Sequence, residues 1–433
     1  MSLNARQQHV LELVSNGDNV FITGGAGVGK SFIVNHICAA LRERGRNVKL
    51  TASTGTAATL INGQTLHSLV GLGLATDPIE VLVRRARARA SLRKTWRAMD
   101  TLIIDEVSMV DPEFFIKTDH LARALRGVDM PFGGLQLVCV GDFYQLAPVL
   151  KRGAPYSFVF ETDSWKVGID HCVELTEIFR QDNDSEFARL LQRVRVGATT
   201  TDDLALLASR VNQDVECCEG VVPTSLYSRR GDVASVNDTH LKGLDADTRQ
   251  VYTATLTRTP LNPSRALTEV LKTWGQQIEK TMPATKTLDL RVGAQVMMVV
   301  NSREMNLVNG SRGVVLGFTP DGHPRVRFRD RVRVMSPYTW TYEKECVGTI
   351  TVEQVPLQLA WALTIHKSQG ASLDCAEISL DSSVFAYGQA YVAMSRVRSI
   401  DGVKLLKLSA SVIRADPKVH DFYASMSANE SEK

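Results

Sequence analysis

Residues 21–32 of the chain read FITGGAGVGKSF, a cluster of glycines followed by lysine and serine. The apolar run from Val20 to Ile22 is typical of a buried strand, and a helical pattern of apolar residues begins near Lys30. Strand, glycine-rich turn and helix are the context in which the spacing Gly-x4-Gly-Lys-Ser binds phosphate. The glycines let backbone N–H groups converge on phosphate oxygens at a helix N-terminus, whose dipole favours negative charge. The stretch therefore predicts a nucleoside triphosphate site rather than an ordinary glycine turn.

The residues at the end of this loop predict how the phosphates are held. We expect Lys30 to neutralise the terminal phosphates and the Ser31 hydroxyl to bind Mg²⁺. The backbone of the loop is expected to supply the remaining contacts to the nucleotide, from Gly25, Ala26, Gly27, Val28 and Gly29.

Two later stretches carry polar residues directly after apolar runs. TLIIDEVSM, residues 101–109, ends its apolar run at Asp105 and Glu106. We expect Asp105 to hold Mg²⁺ and Glu106 to orient and deprotonate the attacking water. LVCVGDFYQLAPV, residues 137–149, places Gln145 where its amide would donate to the γ-phosphate. An isolated Asp-Glu pair is a weak signal, but after a phosphate loop and at the end of a strand it predicts hydrolysis.

The totals favour a globular chain of several domains. At 433 residues the chain is too long for one compact core, which suggests two to four domains. Apolar residues make up 44% and charged residues 22%, and no apolar run approaches the ~20 residues that span a bilayer. The net charge of +3 neither requires nor excludes a nucleic-acid partner, so a nucleic-acid site would be a local groove.

Cysteine usage and the N-terminus bear on the cellular compartment. Seven scattered cysteines without Cys-x-x-Cys spacing favour a reduced intracellular setting over a disulfide framework or a zinc site. The start MSLNARQQ shows neither a secretory pattern nor a transit pattern. We therefore expect a soluble intracellular protein that does not associate with membranes.

The order of the predicted elements indicates an α/β fold. Residues 1–170 alternate strands and helices, which predicts a parallel sheet covered on both faces. About residues 72–98 are expected to form a small basic insert, whose stretch VRRARARASLRKTWR at 83–97 contains no acid. That stretch is either the solvated face of a helix or a surface that contacts phosphates.

A second α/β pattern follows, and it is interrupted. It occupies residues 171–290 and resumes over residues 351–425. Between them, residues 291–350 contain short β-like runs separated by turn residues, which is typical of a small antiparallel barrel inserted into the second lobe. We expect residues 426–433 to be disordered.

Seven motifs, in order, resemble those of superfamily 1 group B DNA helicases, and most closely the petite-integration-frequency (PIF) branch. They are GGAGVGKS, TASTGTAA, IIDEVSM, GDFYQLAPV, EIFRQ, ALTIHKSQG and QAYVAMSR. The signature of the branch is visible in EFFIKTDHLARALRGVDMPFGGLQLVCVGDF, and the resemblance runs from about residue 3 to about residue 424. It implies two RecA-like parallel-sheet P-loop lobes with small inserted subdomains, one of them β-barrel-like in the second lobe.

The resemblance also implies an activity. It implies an ATP hydrolase that uses ATP and Mg²⁺, moves 5′ to 3′ on single-stranded DNA and unwinds duplex or other DNA structures. The implied partners are single-stranded DNA and duplex junctions, with G-quadruplexes and RNA–DNA hybrids left open, and we expect a monomer in isolation. The implied processes are DNA replication, repair, recombination or telomere and genome maintenance. The implied compartment is the nucleus or mitochondrion of a eukaryote, or the cytoplasm for a bacterium or a virus.

The resemblance assigns roles to further residues. Gln7 in LNARQQ resembles a glutamine that reads adenine, with the adjacent Gln8 as the alternative. Arg180 in EIFRQD and Arg396 in YVAMSRVRS resemble two cationic fingers of the second lobe, which stabilise the charge that develops in phosphoryl transfer. Gly370 in TIHKSQG resembles a nucleotide contact. The residues that resemble contacts to single-stranded DNA are Ser53, Thr54, Gly55, His67, Phe143, Thr364, His366, Lys367, Tyr391 and Arg398.

Three positions depart from the family pattern. Val28 stands where the family usually has threonine in the phosphate loop, and Met394 replaces leucine. Both changes are conservative. Ala147 replaces the first proline of QLPPV, and we expect it to loosen the loop that couples ATP to DNA.

Three other classes of function were weighed. A switch protein that signals through GTP would read guanine with Asn-Lys-x-Asp, and the chain contains no Asn-Lys pair. A DNA-binding module with a vestigial ATPase would not need Lys30, Glu106, Arg180 and Arg396 together. A translocase that strips proteins from DNA without separating strands has the same motifs, so the sequence leaves that alternative open.

Overall fold

The computed structural model divides the chain into two compact units. One unit comprises Met1–Asp182 together with Ala415–Lys433, and the other comprises Asn183–Arg414. The residues whose structure is described are 3–71, 75, 77–148, 156–179, 185–217, 221–262, 264–302, 304–329, 331–344 and 347–431.

The first unit is built on a parallel sheet. Its strands are β1 Val20–Thr23, β2 Val48–Ala52, β3 Gln64–Thr65, β4 Thr101–Asp105, β5 Gln136–Val140 and β6 His171–Glu174. They lie in the order β3-β2-β4-β5-β1-β6, and each pair is parallel. Every residue of β1, β4 and β5 is buried, as expected for parallel strands that are covered on both faces.

Helices surround this sheet. Those that precede residue 170 are α1 Ala5–Asn16, α2 Lys30–Glu43, α3 Gly55–Leu60, α4 Leu66–Val70, α5 Ile79–Arg87, α6 Ala90–Ala98, α7 Pro112–Arg126 and α8 Asp163–Gly168. Helix α1 begins with a capping box, because the Asn4 side chain accepts from Gln7 N while Asn4 N donates to the Gln7 side chain. One core joins β1, α1 and α2 through Val10, Val14, Ile22, Ile33 and Ile37.

Parallel strands bring their carboxyl ends to one edge of the sheet, where ligands bind in open α/β folds. β1 ends at Thr23, directly before the glycine-rich loop, and β4 ends at Asp105. β5 ends at Val140 and leads into the loop that carries Gln145. Since β1 pairs with β5 and β5 with β4, the three polar stretches recognised in the sequence emerge side by side.

The basic insert consists of helices α5 and α6. Each helix buries an apolar side, formed by Leu82 and Ala86 in α5 and by Leu92 and Trp96 in α6. The cationic side chains of residues 84–97 are exposed on the other side. The stretch is therefore a pair of amphipathic helices with a basic solvent face, and contact with phosphates stays a prediction.

The second unit contains another parallel sheet. Its strands are β7 Thr224–Tyr227, β8 Gln250–Thr253, β9 Thr255–Pro260, β10 Thr287–Leu290, β11 Gln295–Met298, β12 Arg312–Phe318, β13 Pro324–Phe328, β14 Arg331–Val334, β15 Tyr338–Lys344, β16 Gly348–Gln354, β17 Leu357–Leu359, β18 Ala362–Thr364, β19 Ala376–Leu380 and β20 Val403–Leu408. The parallel sheet has the order β18-β7-β19-β20. The predicted α/β fold with a parallel sheet in each lobe is confirmed.

The helices of the second unit are α9 Ser185–Arg195, α10 Thr201–Ala208, α11 Arg230–Lys242, α12 Arg265–Thr281, α13 Ile365–Ser368 and α14 Gln389–Met394. Its remaining strands are antiparallel. One sheet has the order β14-β13-β12-β11-β17, another has the order β15-β16-β9, and β10 pairs with β8. The insert predicted at residues 291–350 is thus rich in antiparallel β-structure, but it also recruits β9 and β17 from outside that range.

Two boundaries differ from the prediction. β6 pairs with β1 and so belongs to the first unit, although residues from 171 onward were assigned to the second lobe. Helix α15, Pro417–Ser431, also belongs to the first unit and extends through most of the segment 426–433 that was expected to be disordered. Both elements are placed by long-range packing, which a local pattern does not reveal.

Cys217 and Cys375 form a disulfide, with their Cα atoms 6.4 Å apart. This pairing contradicts the expectation of reduced cysteines without a disulfide. The two residues are 158 positions apart, so their proximity is a property of the tertiary structure. Among the described residues, no helix combines the length and the apolar character needed to cross a bilayer.

Candidate functional site

The glycine-rich loop has a backbone that other residues would not adopt without strain. Gly24, Gly27 and Gly29 have positive φ angles of 136°, 83° and 85°. A β-carbon on Gly24 would lie 2.3 Å from the carbonyl oxygen of Leu175. Positive φ favours glycine at all three positions, and at Gly24 the close approach of Leu175 leaves no room for a β-carbon.

Lys30 is the first residue of α2 and lies over the loop. Its Nζ donates to Gly24 O at 2.7 Å and to Gly25 O at 2.8 Å. The loop thus holds the ammonium group at the N-terminus of α2, where backbone N–H groups and the helix dipole favour an anion. The order of strand, glycine-rich turn and helix is the one that the sequence predicted, and the contact of Lys30 with phosphates stays a prediction.

Gln7 provides an independent sign of a nucleotide base. Its side chain is 1% exposed, and within the described residues its Nε2 has no hydrogen-bond partner. The Oε1 atom is occupied by Asn4 N, so the unpaired amide nitrogen is the end turned toward the loop. A buried donor without an acceptor is costly unless a ligand supplies one. The residues fit an adenine nucleotide, whose base offers ring-nitrogen acceptors.

The acidic residues at the end of β4 fit a Mg²⁺ site. Asp105 is 7% exposed, and Ser31 is exposed in the first turn of α2. Burial, and after it the charge of Glu106, raises the pKa of Asp105 to about 7, while Lys30 opposes the shift. A carboxylate and a hydroxyl are oxygen ligands of the kind Mg²⁺ prefers, and a divalent cation would favour the ionised carboxylate.

Glu106 has a strained backbone. Its φ and ψ are 51° and 45°, in the left-handed region, and its N–H donates to Asp105 Oδ1 at 2.9 Å. A non-glycine residue in this region costs about 1–3 kcal/mol and is retained where surrounding structure enforces it. The left-handed conformation ends the extended run of β4 at Asp105, so the chain turns at Glu106.

Gln145 lies in a buried polar cluster. It is 5% exposed, and its Nε2 donates to Asp142 Oδ2 at 3.5 Å. Asp142 is fully buried and also accepts from Tyr144 N at 3.2 Å. The amide of Gln145 therefore contacts Asp142, a residue to which the sequence reading gave no role.

Four of the predicted DNA contacts lie in the first unit near β2 and α4. Thr54 caps α3, since its hydroxyl accepts from Ala57 N at 3.2 Å, and Gly55 begins that helix. The Ser53 hydroxyl is buried and, within the described residues, has no hydrogen-bond partner. His67 stacks on Phe114 with 3.9 Å between ring centroids.

The surroundings of His67 disfavour its charged form. Burial lowers its pKa, although Asp111 opposes the shift. A neutral imidazole can donate or accept a hydrogen bond, but it does not attract phosphate by charge. A hydrogen bond is therefore a polar contact with DNA that the neutral form of His67 could make.

The prediction that Phe143 contacts single-stranded DNA is corrected. Its ring is 2% exposed and packs edge-on against Phe160 and Trp165, with Phe21 at 5.2 Å. Phe422 of α15 covers the same ring at 5.5 Å. Phe143 is a core residue in this structure, because aromatic side chains from distant segments converge on it.

The TIHKSQG segment forms the short helix α13 at the end of β18. Thr364 is 4% exposed, and its hydroxyl accepts from Lys367 N at 3.1 Å. Burial, and after it the charge of Arg230, lowers the pKa of His366. Gly370 has a φ of 79° and is exposed directly after the helix. The Thr364 hydroxyl, the His366 imidazole and the Lys367 side chain thus lie in one short segment, and the contacts assigned to them stay predictions.

Much of the QAYVAMSRVRS segment is buried, whereas its predicted DNA contacts require exposed side chains. Tyr391 is 2% exposed, which contradicts a direct DNA contact through its ring. Arg396 is 3% exposed, and its guanidinium donates to Val392 O and Ser395 Oγ. Arg398 is accessible and lies 3.5 Å from Asp374 Oδ1. Arg180, the other predicted finger, lies outside the described residues.

Two residues beside the phosphate loop were missed by sequence reasoning. Phe179 N donates to Gly27 O at 2.9 Å, and its ring lies 3.5 Å from the place of a β-carbon on Gly29. Its only signal was its position directly before Arg180 in the EIFRQ motif. Tyr423 of α15 reaches the end of β1, and no local pattern pointed to it.

The fold and the site define a class of protein. A parallel sheet leads from β1 into a glycine-rich loop with Lys30 at the start of α2, and Asp105 and Glu106 end a nearby strand. These are the features of a P-loop nucleoside triphosphatase, here with a RecA-like sheet in each of two units.

The chain belongs to the PIF1-like helicase family. The sequence model of that family matches residues 2–204, and that of the DNA helicase Pif1 2B domain matches residues 275–318. ATP-dependent DNA helicase PIF1 of Mus musculus is 41% identical over 432 residues, which cover 98% of this chain and 63% of that relative. The chain thus spans less than two thirds of the length of that curated relative.

Solved structures agree with this assignment. Pif1 helicase from Candida albicans, whose crystal structure is known, is 36% identical in sequence, and the two structures match with a TM-score of 0.79. The match covers 98% of this chain and 100% of the Candida albicans chain. Pif1 helicase from Bacteroides in complex with ADP-AlF3 and single-stranded DNA is 30% identical, with a TM-score of 0.70. That match covers 99% of this chain and 98% of the Bacteroides chain.

Proposed function

We propose that the chain is an ATP-dependent DNA helicase that moves 5′ to 3′ along single-stranded DNA. The observation that carries this proposal is the phosphate loop with Lys30 held over it, beside a buried Gln7 whose amide nitrogen has no acceptor among the described residues. Membership of the PIF1-like family supports DNA as the polymer on which the hydrolysis energy is used.

ATP binding would use the groups on the first unit. The Gln7 amide would donate to the adenine, and loop N–H groups together with Lys30 would hold the phosphates. Mg²⁺ would be held by Ser31 and Asp105 and would neutralise phosphate charge. Glu106 would accept a proton from the attacking water, and Gln145 would donate to the terminal phosphate. Arg180 and Arg396 are proposed to stabilise the charge that develops in the transition state.

DNA binding would use polar groups on both units. Hydroxyls and amides near Ser53 and Thr54, the His366 imidazole and the Lys367 side chain are suited to the sugar-phosphate backbone, which carries no sequence information. The solved Bacteroides relative that resembles this chain was crystallised with single-stranded DNA. Alternation between nucleotide-bound and nucleotide-free states would change which of these groups bind the DNA backbone, and this would produce directed movement.

The finer proposals concern the biological setting. We propose that the activity serves DNA replication, repair, recombination or genome maintenance, on forks, G-quadruplexes or RNA–DNA hybrids. The chain is proposed to work as a monomer in isolation.

A strand-displacement assay tests the proposal. Duplexes with a 5′ single-stranded tail should be unwound in the presence of ATP, whereas matched duplexes with a 3′ tail should remain intact. Lys30→Ala is the control, since loss of the loop cation should abolish both hydrolysis and unwinding. ATP-dependent movement that displaces a bound protein but leaves the duplex intact would instead identify a translocase. ATP turnover that does not respond to single-stranded DNA would contradict the motor function.

A further inference from the structure

Helix α15 places one hydroxyl between the end of β1 and the loop that carries Gln145. The Tyr423 hydroxyl lies 2.5 Å from Thr23 Oγ1 and 3.4 Å from Asp142 Oδ1. Phe143 N donates to the same hydroxyl at 3.3 Å. Since Thr23 directly precedes the phosphate loop, a single phenol joins the start of that loop to the residues beside Gln145.

The chemistry of the partners sets the direction of each hydrogen bond. A backbone N–H can only donate, so the phenol oxygen accepts from Phe143. An ionised carboxylate can only accept, so the phenol proton goes to Asp142. The Thr23 hydroxyl then donates to the remaining lone pair of the Tyr423 oxygen. One donor and two acceptor positions of the hydroxyl are thereby used.

Asp142 contacts both the Tyr423 hydroxyl and the side-chain amide of Gln145. Its Oδ1 atom accepts from Tyr423 and from Tyr144 N, while its Oδ2 atom accepts from Gln145 Nε2. Asp142 and Gln145 are 0% and 5% exposed, so bulk water does not replace these contacts. Rotation of the Asp142 carboxylate would therefore move the side-chain amide of Gln145.

Packing holds the Tyr423 ring independently of its hydroxyl. The ring stacks on Tyr144 with 4.7 Å between centroids and 23° between planes. The adjacent Phe422 stacks on Phe160 at 4.3 Å, which anchors the same turn of α15. A phenylalanine at position 423 would keep this packing and lose the hydrogen bonds that the hydroxyl makes with Thr23, Phe143 and Asp142.

We propose that Tyr423 is a positioning residue for ATP hydrolysis, because its hydroxyl holds Asp142, and through it Gln145, at a fixed position relative to the end of β1. This inference rests on the proposed ATPase function and on the role of Gln145 in it. Tyr423 acts through other residues and makes no contact with the nucleotide in this scheme. The helix at the C-terminal end of the described chain is thus part of the hydrolytic apparatus.

The test compares steady-state ATP hydrolysis of the wild-type chain and Tyr423→Phe at saturating single-stranded DNA. We expect kcat to fall about tenfold and KM for ATP to change by less than about twofold, since positioning matters most in the transition state. The melting temperature should stay within a few degrees, because the ring packing is kept. In a Gln145→Ala background, Tyr423→Phe should cause no further fall in kcat.

His420→Ala is the matched control. His420 is exposed and its Nδ1 is paired with the Tyr144 hydroxyl at 3.1 Å, so its loss removes another bond between α15 and the same loop. We expect its kcat to match the wild type. An equal fall in kcat for His420→Ala, or a full effect of Tyr423→Phe in the Gln145→Ala background, would overturn the inference.

The outcomes also separate the inference from the function on which it rests. An unchanged kcat for Tyr423→Phe, with normal hydrolysis by the wild type, refutes the inference alone. Absence of hydrolysis by the wild type refutes the proposed function and the inference with it. A wild-type kcat in Gln145→Ala refutes the role of Gln145 and the route by which Tyr423 would act.

Discussion

The amide nitrogen of Gln7 lies 2.9 Å from the position that a β-carbon on Gly29 would occupy. Gln7 lies in the first turn of α1, and Gly29 directly precedes α2. The side chain of Gln7 therefore lies against the end of the glycine-rich loop. Because Gln7 Nε2 has no partner within the described residues, its N–H groups are available to an acceptor beside the loop. The relationship links the glycine-rich loop to recognition of a base.

Gln7→Ala should weaken ATP binding and base selection. Loss of one hydrogen bond to the base is expected to raise KM for ATP by about tenfold or somewhat less. The preference for ATP over GTP should fall by a similar factor. Both values come from steady-state hydrolysis at saturating single-stranded DNA.

Gln8→Ala is the control for this prediction. Gln8 is exposed, and its side chain donates to Leu3 O at 3.1 Å rather than facing the loop. Its KM for ATP should equal that of the wild type. The opposite result, with the effect at Gln8 and none at Gln7, would assign the base contact to the neighbouring residue.

Two substitutions of Glu106 should both abolish activity but differ in their free energy of unfolding. Glu106→Gln removes the proposed base and is expected to lower kcat by about 10³ while ATP still binds. Glu106→Gly is equally inactive but relieves the left-handed strain at φ 51°. Allowing for the entropy of glycine, it should be more stable than Glu106→Gln by about 1 kcal/mol. Denaturant unfolding measures this difference, and equal stabilities would argue against backbone strain.

The exposed basic face of α5 and α6 should contribute to DNA affinity. Replacing Arg84, Arg93 and Lys94 by glutamine should reduce the slope of log affinity against log salt by about 1 for each lost phosphate contact. Fluorescence anisotropy with a tailed duplex at several salt concentrations gives this slope.

A variant with the same change in charge controls for the overall field of the protein. Arg42, Arg44 and Arg46 lie at and beyond the end of α2, are exposed, and can be replaced by glutamine in the same way. This variant should leave the slope near the wild-type value. Equal slopes for the two variants would make the α5–α6 face an ordinary solvated surface.

Asp203 should make the free energy of unfolding depend on pH in the acidic range. The side-chain hydrogen bond from Arg193 is the main cause that lowers the pKa of Asp203 to about 2, and Asp203 is 3% exposed. A lowered carboxyl pKa stabilises the folded state above the unfolded value near 4, and this contribution is lost as pH falls through 4 toward 2. Asp203→Asn should thus cost about 2 kcal/mol at pH 7 and less at pH 3.

Urea unfolding of Asp203→Asn and wild type at several pH values measures this effect. The adjacent Asp202 is exposed, so Asp202→Asn should be nearly neutral over the same range. A cost for Asp203→Asn that does not change between pH 7 and pH 3 would show that the carboxylate charge is not the source of the stabilisation.

Much of the site could be predicted because its signals are local. The spacing from Gly24 to Ser31 follows from backbone conformations that only certain residues adopt, and the structure has these conformations. Asp105 and Glu106 were identified because a buried strand in an α/β fold ends at a ligand-binding edge. The motif order also predicted the parallel sheets of both units.

Other predictions failed where burial decided the outcome. Phe143 and Tyr391 lie within motifs whose order is correct, but their rings are covered by residues from other segments. The assignment of β6 and α15 likewise depended on packing partners far away in the chain. A local pattern records residue type and spacing, and it does not record what packs against each side chain.

The chain's own amino-acid order determined the phosphate loop, the acidic strand end and the alternation of strands and helices, since each depends on neighbouring residues. Only the tertiary structure decided that Tyr423 lies against Thr23, 400 positions earlier, and that Cys217 lies against Cys375. Contacts of this kind form when distant apolar surfaces are buried together, so they follow from the packing of the whole unit.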